Sequence, residues 1–148
     1  MATYSSSLQA VHRPSAPAPY LVSNTIDIAV ENTNNAAALA ANDILEIFTI
    51  PTDTLIMAAG YELEALLTGE SSDTTFNLGI TTASTGGIAA DVDEFVAAMD
   101  TDAMAVGSYA TMIPAVFPNL TGSLAATLDL ELQAAGTAPT GGKIRVWM

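Results

Sequence analysis

The sequence predicts an all-β fold, an antiparallel β-sandwich of jelly-roll type with about eight strands, an extended N-terminal arm and at most one short helix. Three observations predict it. Short segments carry apolar residues with a period of two, the spacing of a pleated strand. Clusters of Pro, Gly, Asp, Asn and Ser separate those segments and supply the backbone conformations that tight reversals need. Only one stretch places its apolar residues at helical spacing, so the regular 10–15-residue helices of a βαβ chain are missing.

The arm comes first. Residues 1–23 contain Ser5-Ser6-Ser7 and prolines at 14, 17 and 19. Proline fixes φ and biases its predecessor toward extended geometry, so this segment reads as extended chain. Tyr4, Leu8, Val11 and Tyr20 make it more apolar than a solvated tail, and Arg13 gives it a cation. The expectation is an anchoring arm that orders against a neighbour, followed by one β-sandwich domain over residues 24–148.

In the body, Ile26, Ile28 and Val30 alternate through TIDIAVE and predict a strand over 25–31, followed by NTNNAAALAAN as a connection. DILEIFTI (43–50) is apolar on both faces except for Glu46, which a flat strand places beside Ile44, Phe48 and Ile50. A carboxylate there needs a partner, and a Glu46–Arg145 pair is one solution. After the IPTDT turn, a long strand runs from Leu55 to Leu67, with a bend or bulge expected at Gly60. GESSD (69–73) is a turn and TTFNLGI (74–80) a strand. In DVDEFVAAMD, Val92, Phe95, Val96 and Met99 fall at i, i+3, i+4 and i+7 and predict a short helix. SYATMI, SLAATLDLELQAA and KIRVWM complete the strands, with Pro114 and Pro118 bracketing a loop.

Composition limits the function. The chain has 148 residues and a formal net charge of −13, with 16 acidic and 3 basic side chains. Its mean hydropathy is +0.39. Three cations do not make the Lys/Arg surface that nucleic acid or an anionic membrane requires, so neither is expected as a partner. No apolar run approaches the roughly 20 residues needed to span a bilayer, and the N-terminus lacks the basic start and apolar block of a secretory signal. There is no cysteine, which removes thiolate catalysis and Cys-based zinc sites.

The chemistry-bearing residues are sparse. His12 is the only histidine and lies in the arm, a poor place for a catalytic triad. Asp91, Asp93, Glu94, Asp100 and Asp102 could offer oxygen ligands to calcium, but their spacing is not that of an EF-hand loop. Glu62 and Glu64 share a strand face and read as a solubilising pair, the alternative being a paired-carboxylate hydrolase. The Gly86-Gly87 and Gly141-Gly142 pairs lack the lysine and helix of a phosphate loop. No catalytic, cofactor or metal residue is therefore expected.

What the sequence has in surplus is apolar surface. Leu45 and Ile47 stand opposite Ile44, Phe48 and Ile50, and Ile56 stands opposite Leu55 and Met57. A sandwich needs one apolar face per sheet, so the second face predicts a symmetric homo-oligomer, with Leu45, Ile47 and Ile56 at its interface.

The run ANDILEIFTIPTDTLIMAAGYEL, then TTFNLGI, a DVDEFVAAMD segment and a closing GTAPTGGKIRVWM resembles small virion structural proteins of tailed bacteriophages, of the head decoration or cement type. The resemblance covers roughly residues 24–148. It implies a non-enzymatic β-sandwich, a homotrimer on the capsid exterior, and the major capsid protein as partner. A phage fibre, tail or baseplate module and a carbohydrate-binding sandwich are the other readings; for the latter, Trp147 and Tyr109 are the aromatics on offer.

Overall fold

The computed structural model describes residues 3–10, 21–51, 54–70, 74–80, 91–112, 119–120, 126–133 and 137–148. In chain order the elements are β1 (Thr3–Ala10), β2 (Ser23–Asp27), α1 (Ile28–Asn34), β3 (Ile44–Ile50), β4 (Thr54–Leu55), β5 (Ala59–Thr68), β6 (Thr75–Ile80), β7 (Asp91–Asp100), β8 (Tyr109–Met112), β9 (Asn119–Leu120), β10 (Ala126–Leu132) and β11 (Gly141–Trp147).

One layer has the strand order β2-β11-β5-β8 and the other β1-β3-β10-β6-β7. Leaving β1 and the short β4–β9 pair aside, the remaining strands form a single long ribbon. β6 pairs with β7 at its tip, then β5 with β8, β3 with β10, and β2 with β11 at its open end. The ribbon wraps so that alternate pairs fall in opposite layers, which is jelly-roll topology. β4–β9 is the piece that crosses between layers, its register running on from Ile50↔Ala126 through Thr54↔Leu120 to Ala59↔Met112. The core lies between the layers. It joins Ile26, Tyr61, Leu63, Ile144 and Val146 of one to Leu45, Phe48, Phe76, Leu78, Phe95, Leu128 and Leu130 of the other. Burying each such side chain contributes about 1.5–3 kcal/mol.

The two-sided look of the 43–50 segment has a local cause. Leu130 pairs with Leu45 and Asp129 with Glu46, but Leu128 pairs with Phe48. Ile47 is thus an extra residue in β3, a bulge that reverses the strand's alternation. Leu45 below it and Phe48 and Ile50 above it all align with inward residues of β10. Leu45, Ile47 and Ile56 are at most 3% exposed, so the surface they were expected to offer a partner is taken up within the chain. The same bulge removes Glu46 from the face of Phe48 and sets it across from Asp129.

Three further expectations change. The strand over 25–31 stops at Asp27, whose carboxylate accepts from the backbone N–H groups of Ala29 and Val30 and caps α1. Helical geometry separates Ile28, fully buried, from Val30, 45% exposed, where a strand would have put them on one face. The 91–100 segment is strand β7. Between Phe76 and Leu78 lie two steps of β6, against three between their partners Met99 and Val96. The extra residue sits at Ala97–Ala98, with Ala98 at φ 49°, and it converts an i, i+3 apolar spacing into a bulged strand. Finally, the first part of the arm, residues 3–10, joins the sheet as β1, parallel to β3 and at its edge.

Gly60 is neither bend nor bulge. It sits in the ladder between Thr111 and Trp147, and a Cβ there would lie 2.2 Å from the Ala110 carbonyl oxygen and 2.4 Å from the Trp147 ring. A side chain is excluded because the indole lies over the backbone.

Candidate interaction surfaces

Both cations among the described residues are engaged on the outer face of the four-stranded layer. Lys143 pairs with Asp27 at 3.1 Å and holds its carboxyl below the usual range. Arg145 bridges Glu62, at 3.1 Å, and Glu64. The expected partner for Arg145 was Glu46, but Glu46 lies in the other layer; β11 runs beside β5, and register alone brings Arg145 opposite Glu62. The Glu62–Glu64 pair is therefore neutralised in part by a guanidinium, which is ill suited to a hydrolytic carboxylate pair.

The outer face of the five-stranded layer is acidic and partly buried. Asn77 donates to Glu131 at 3.0 Å and accepts from the Ala98 N–H at 2.8 Å, so one buried amide ties β6, β7 and the β7 bulge to β10. Thr127 donates to Asp129 at 2.9 Å. At the start of β7, hydrogen bonding to Asp91 raises the Asp93 carboxyl, with burial and the Asp91 charge adding to it. Burial and the same two aspartates raise Glu94. Near the other end, burial raises Glu70, opposed by a 3.0 Å hydrogen bond from Thr101. Asp91 and Asp100 pair with Ile80 and Thr75 at opposite ends of β6, about 17 Å apart at roughly 3.3 Å per residue. The carboxylates weighed as calcium ligands therefore do not converge, and among the described residues no three metal-ligating side chains are grouped. His12 lies outside the described residues. Among those residues no helix is long and apolar enough to cross a membrane.

The exposed apolar groups are more telling. Leu21 is 69% exposed, Leu55 52%, Met57 51% and Tyr109 74%. Leu21 precedes Val22, which exchanges backbone hydrogen bonds with Met148, while Met57 lies two residues before β5. The row Ser23–Trp147–Gly60–Thr111 crosses the four-stranded layer at that same end. Leu21, Met57 and Trp147 therefore border one end of this layer. Sequence reasoning assigned Leu55 and Met57 to the inner face of a continuous strand. The break at 56–58 between β4 and β5 leaves both exposed, and no proline, glycine or turn residue marks it in the sequence. Of the residues expected in the arm, Tyr4 and Leu8 lie on β1, whereas Val11, Arg13 and Tyr20 lie outside the described residues.

No protein-family model matches the chain, and no curated protein matches it. Two solved structures do. A chain of the capsid of Ralstonia phage GP4 superposes with a TM-score of 0.62 at 17% identity, over 99% of this chain and 94% of that one. The fold is that of a phage capsid chain. A chain of the cyanophage Pam1 capsid asymmetric unit superposes with a TM-score of 0.59 at 13% identity, covering 92% of this chain and 90% of its own. Both likenesses span most of each chain.

Proposed function

We propose that this protein is a non-enzymatic structural protein of a bacteriophage virion, a decoration or cement subunit that binds the outer capsid surface as a homotrimer and stabilises it. The observation that carries the reading is the likeness, over 99% of the chain, to a chain of a phage capsid. The surface agrees with a contact role. The two cations among the described residues are spent on internal ion pairs, and the exposed Leu21, Leu55 and Met57 lie toward one end of the four-stranded layer. That end, with Leu21, Leu55 and Met57, is the face this reading assigns to the capsid or to neighbouring copies. The acidic remainder keeps the protein soluble and repels the packaged nucleic acid.

The test is addition of purified protein to phage capsids stripped of their accessory proteins. Saturable binding, a raised capsid melting temperature and added density on the exterior in a cryo-EM map are expected. Leu55→Asp with Met57→Asp should abolish binding while leaving the subunit's own melting nearly unchanged. No binding, or recovery of the protein only with tails or fibres, rejects the capsid reading.

A second reading has one observation in its favour. Tyr109 and Trp147 flank Gly60 and Glu62 on the same outer face, an arrangement that could stack sugar rings. Binding on a glycan array that Tyr109→Ala removes would favour it.

A further inference from the structure

β1 is the one strand that the ribbon does not require. Every pair in the two four-stranded layers is antiparallel, and the roll is complete without residues 3–10. β1 instead lies parallel on the outer edge of β3, with Thr3↔Ile44, Tyr4↔Leu45 and Ser5↔Glu46, and it meets β3 again only at Ala10↔Phe48. Between those two points β1 advances five residues against two in β3, so the surplus chain lies in β1. Parallel pairing at an edge is held by main-chain hydrogen bonds and is indifferent to which copy supplies the strand.

The connection back to β2 is long for its task. Residues 11–22 are twelve residues with prolines at 14, 17 and 19. β2 belongs to the opposite layer of the same sandwich, and packed layers stand about 10 Å apart. Proline-rich chain extends about 3.1 Å per residue, so twelve residues reach about 37 Å. That length matches the width of a domain of this size, for which the radius of gyration is about 15 Å. The linker's extended length exceeds the spacing between packed layers, and prolines disfavour compact backbone.

We propose that β1 is an exchanged strand: in the assembled protein, residues 3–10 of one copy occupy the parallel β3 edge of a second copy, in the register seen here. Exchange preserves every β1–β3 contact, uses the reach of an extended proline-rich linker, and covers an edge that would otherwise invite aggregation. The inference deepens the trimeric assembly proposed above but does not depend on a capsid.

The chain has no cysteine, which allows a clean test in the full-length protein. Ser5 and Glu46 are Cα partners, and strands about 4.8 Å apart lie within disulfide range. Ser5→Cys and Glu46→Cys chains, mixed, refolded together and oxidised, should form a covalent dimer between unlike chains. The double variant should form covalent multimers on a non-reducing gel. A double variant that closes only on itself, running as a compact monomer, overturns exchange; so does a failure of both samples to cross-link while circular dichroism shows them folded. If either substitution prevents folding, light scattering on the wild type decides: a multimer at micromolar concentration is expected, and a monomer of about 15 kDa overturns the proposal. Either result leaves capsid binding to be judged by its own assay.

Discussion

At the residue scale, backbone proximity and charge each act on single side chains. Gly60 underlies the Trp147 ring and faces the Ala110 carbonyl across the ladder. Gly60→Ala should cost about 1–3 kcal/mol through overpacking, read as a lowered midpoint in chemical denaturation; an unchanged midpoint would show that the indole is not held there. Asp93, Glu94 and Glu70 all have raised carboxyl pKa values, from hydrogen bonding and neighbouring charge at Asp93 and from burial at the two glutamates. A group raised in the folded state favours folding when protonated. Its contribution is complete below the unfolded value, near 4, and is lost as pH rises through the higher folded value. Asp27 acts oppositely, and its contribution is lost only in stronger acid. The melting temperature should therefore fall as pH is raised from about 4.5 toward neutrality, and Asp93→Asn should flatten that slope. A slope unchanged by the substitution would remove Asp93 from the account.

At the scale of elements, the bulges in β3 and β7 decide which side chains face inward. Ala98 holds a left-handed φ of 49° in the β7 bulge. An L residue there costs roughly 1–2 kcal/mol, which glycine avoids. Ala98→Gly should thus leave the melting temperature equal or higher, whereas in the helix expected from spacing it would cost about 1 kcal/mol. Asn77 fastens the same bulge. Asn77→Ala removes the acceptor of the Ala98 N–H and the donor to buried Glu131, and should cost about 2–3 kcal/mol in chemical denaturation. A loss under about 0.5 kcal/mol would mean that water replaces the amide, at odds with its burial.

At the scale of the whole molecule, the ribbon closes through its last strand. β11 stands between β2 and β5, and Val146 pairs with Asn24 across nearly the full chain. Removing residues 141–148 splits the four-stranded layer and exposes the apolar core, so the shortened chain should lose its strand circular dichroism and its cooperative melting. Removing residues 1–20 takes away only an edge strand. That chain should keep its spectrum with a modest drop in melting temperature, while attachment to capsids or to other copies falls sharply. Collapse of the fold on this second truncation would make β1 part of the core architecture.

The sequence alone determined the all-β class, strands within 43–50, 74–80, 123–135 and 143–148, and the scarcity of reactive groups. These follow from period-two patterning, turn residues and residue counts, all of them local. What the tertiary structure decided was parity and pairing. A single extra residue at Ile47 or Ala98 moves every later side chain to the other face, and no local pattern marks where the partner strand will impose it. The sequence showed apolar residues on both sides of 44–50 and implied a spare face. The bulge brings Leu45, Phe48 and Ile50 onto one inward face, and the exposed apolar residues, Leu21, Leu55 and Met57 among them, lie elsewhere. Arg145 met Glu62 and Glu64 rather than Glu46 for the same reason: ion-pair partners are set by register across strands distant in sequence, and register is a property of the folded ribbon.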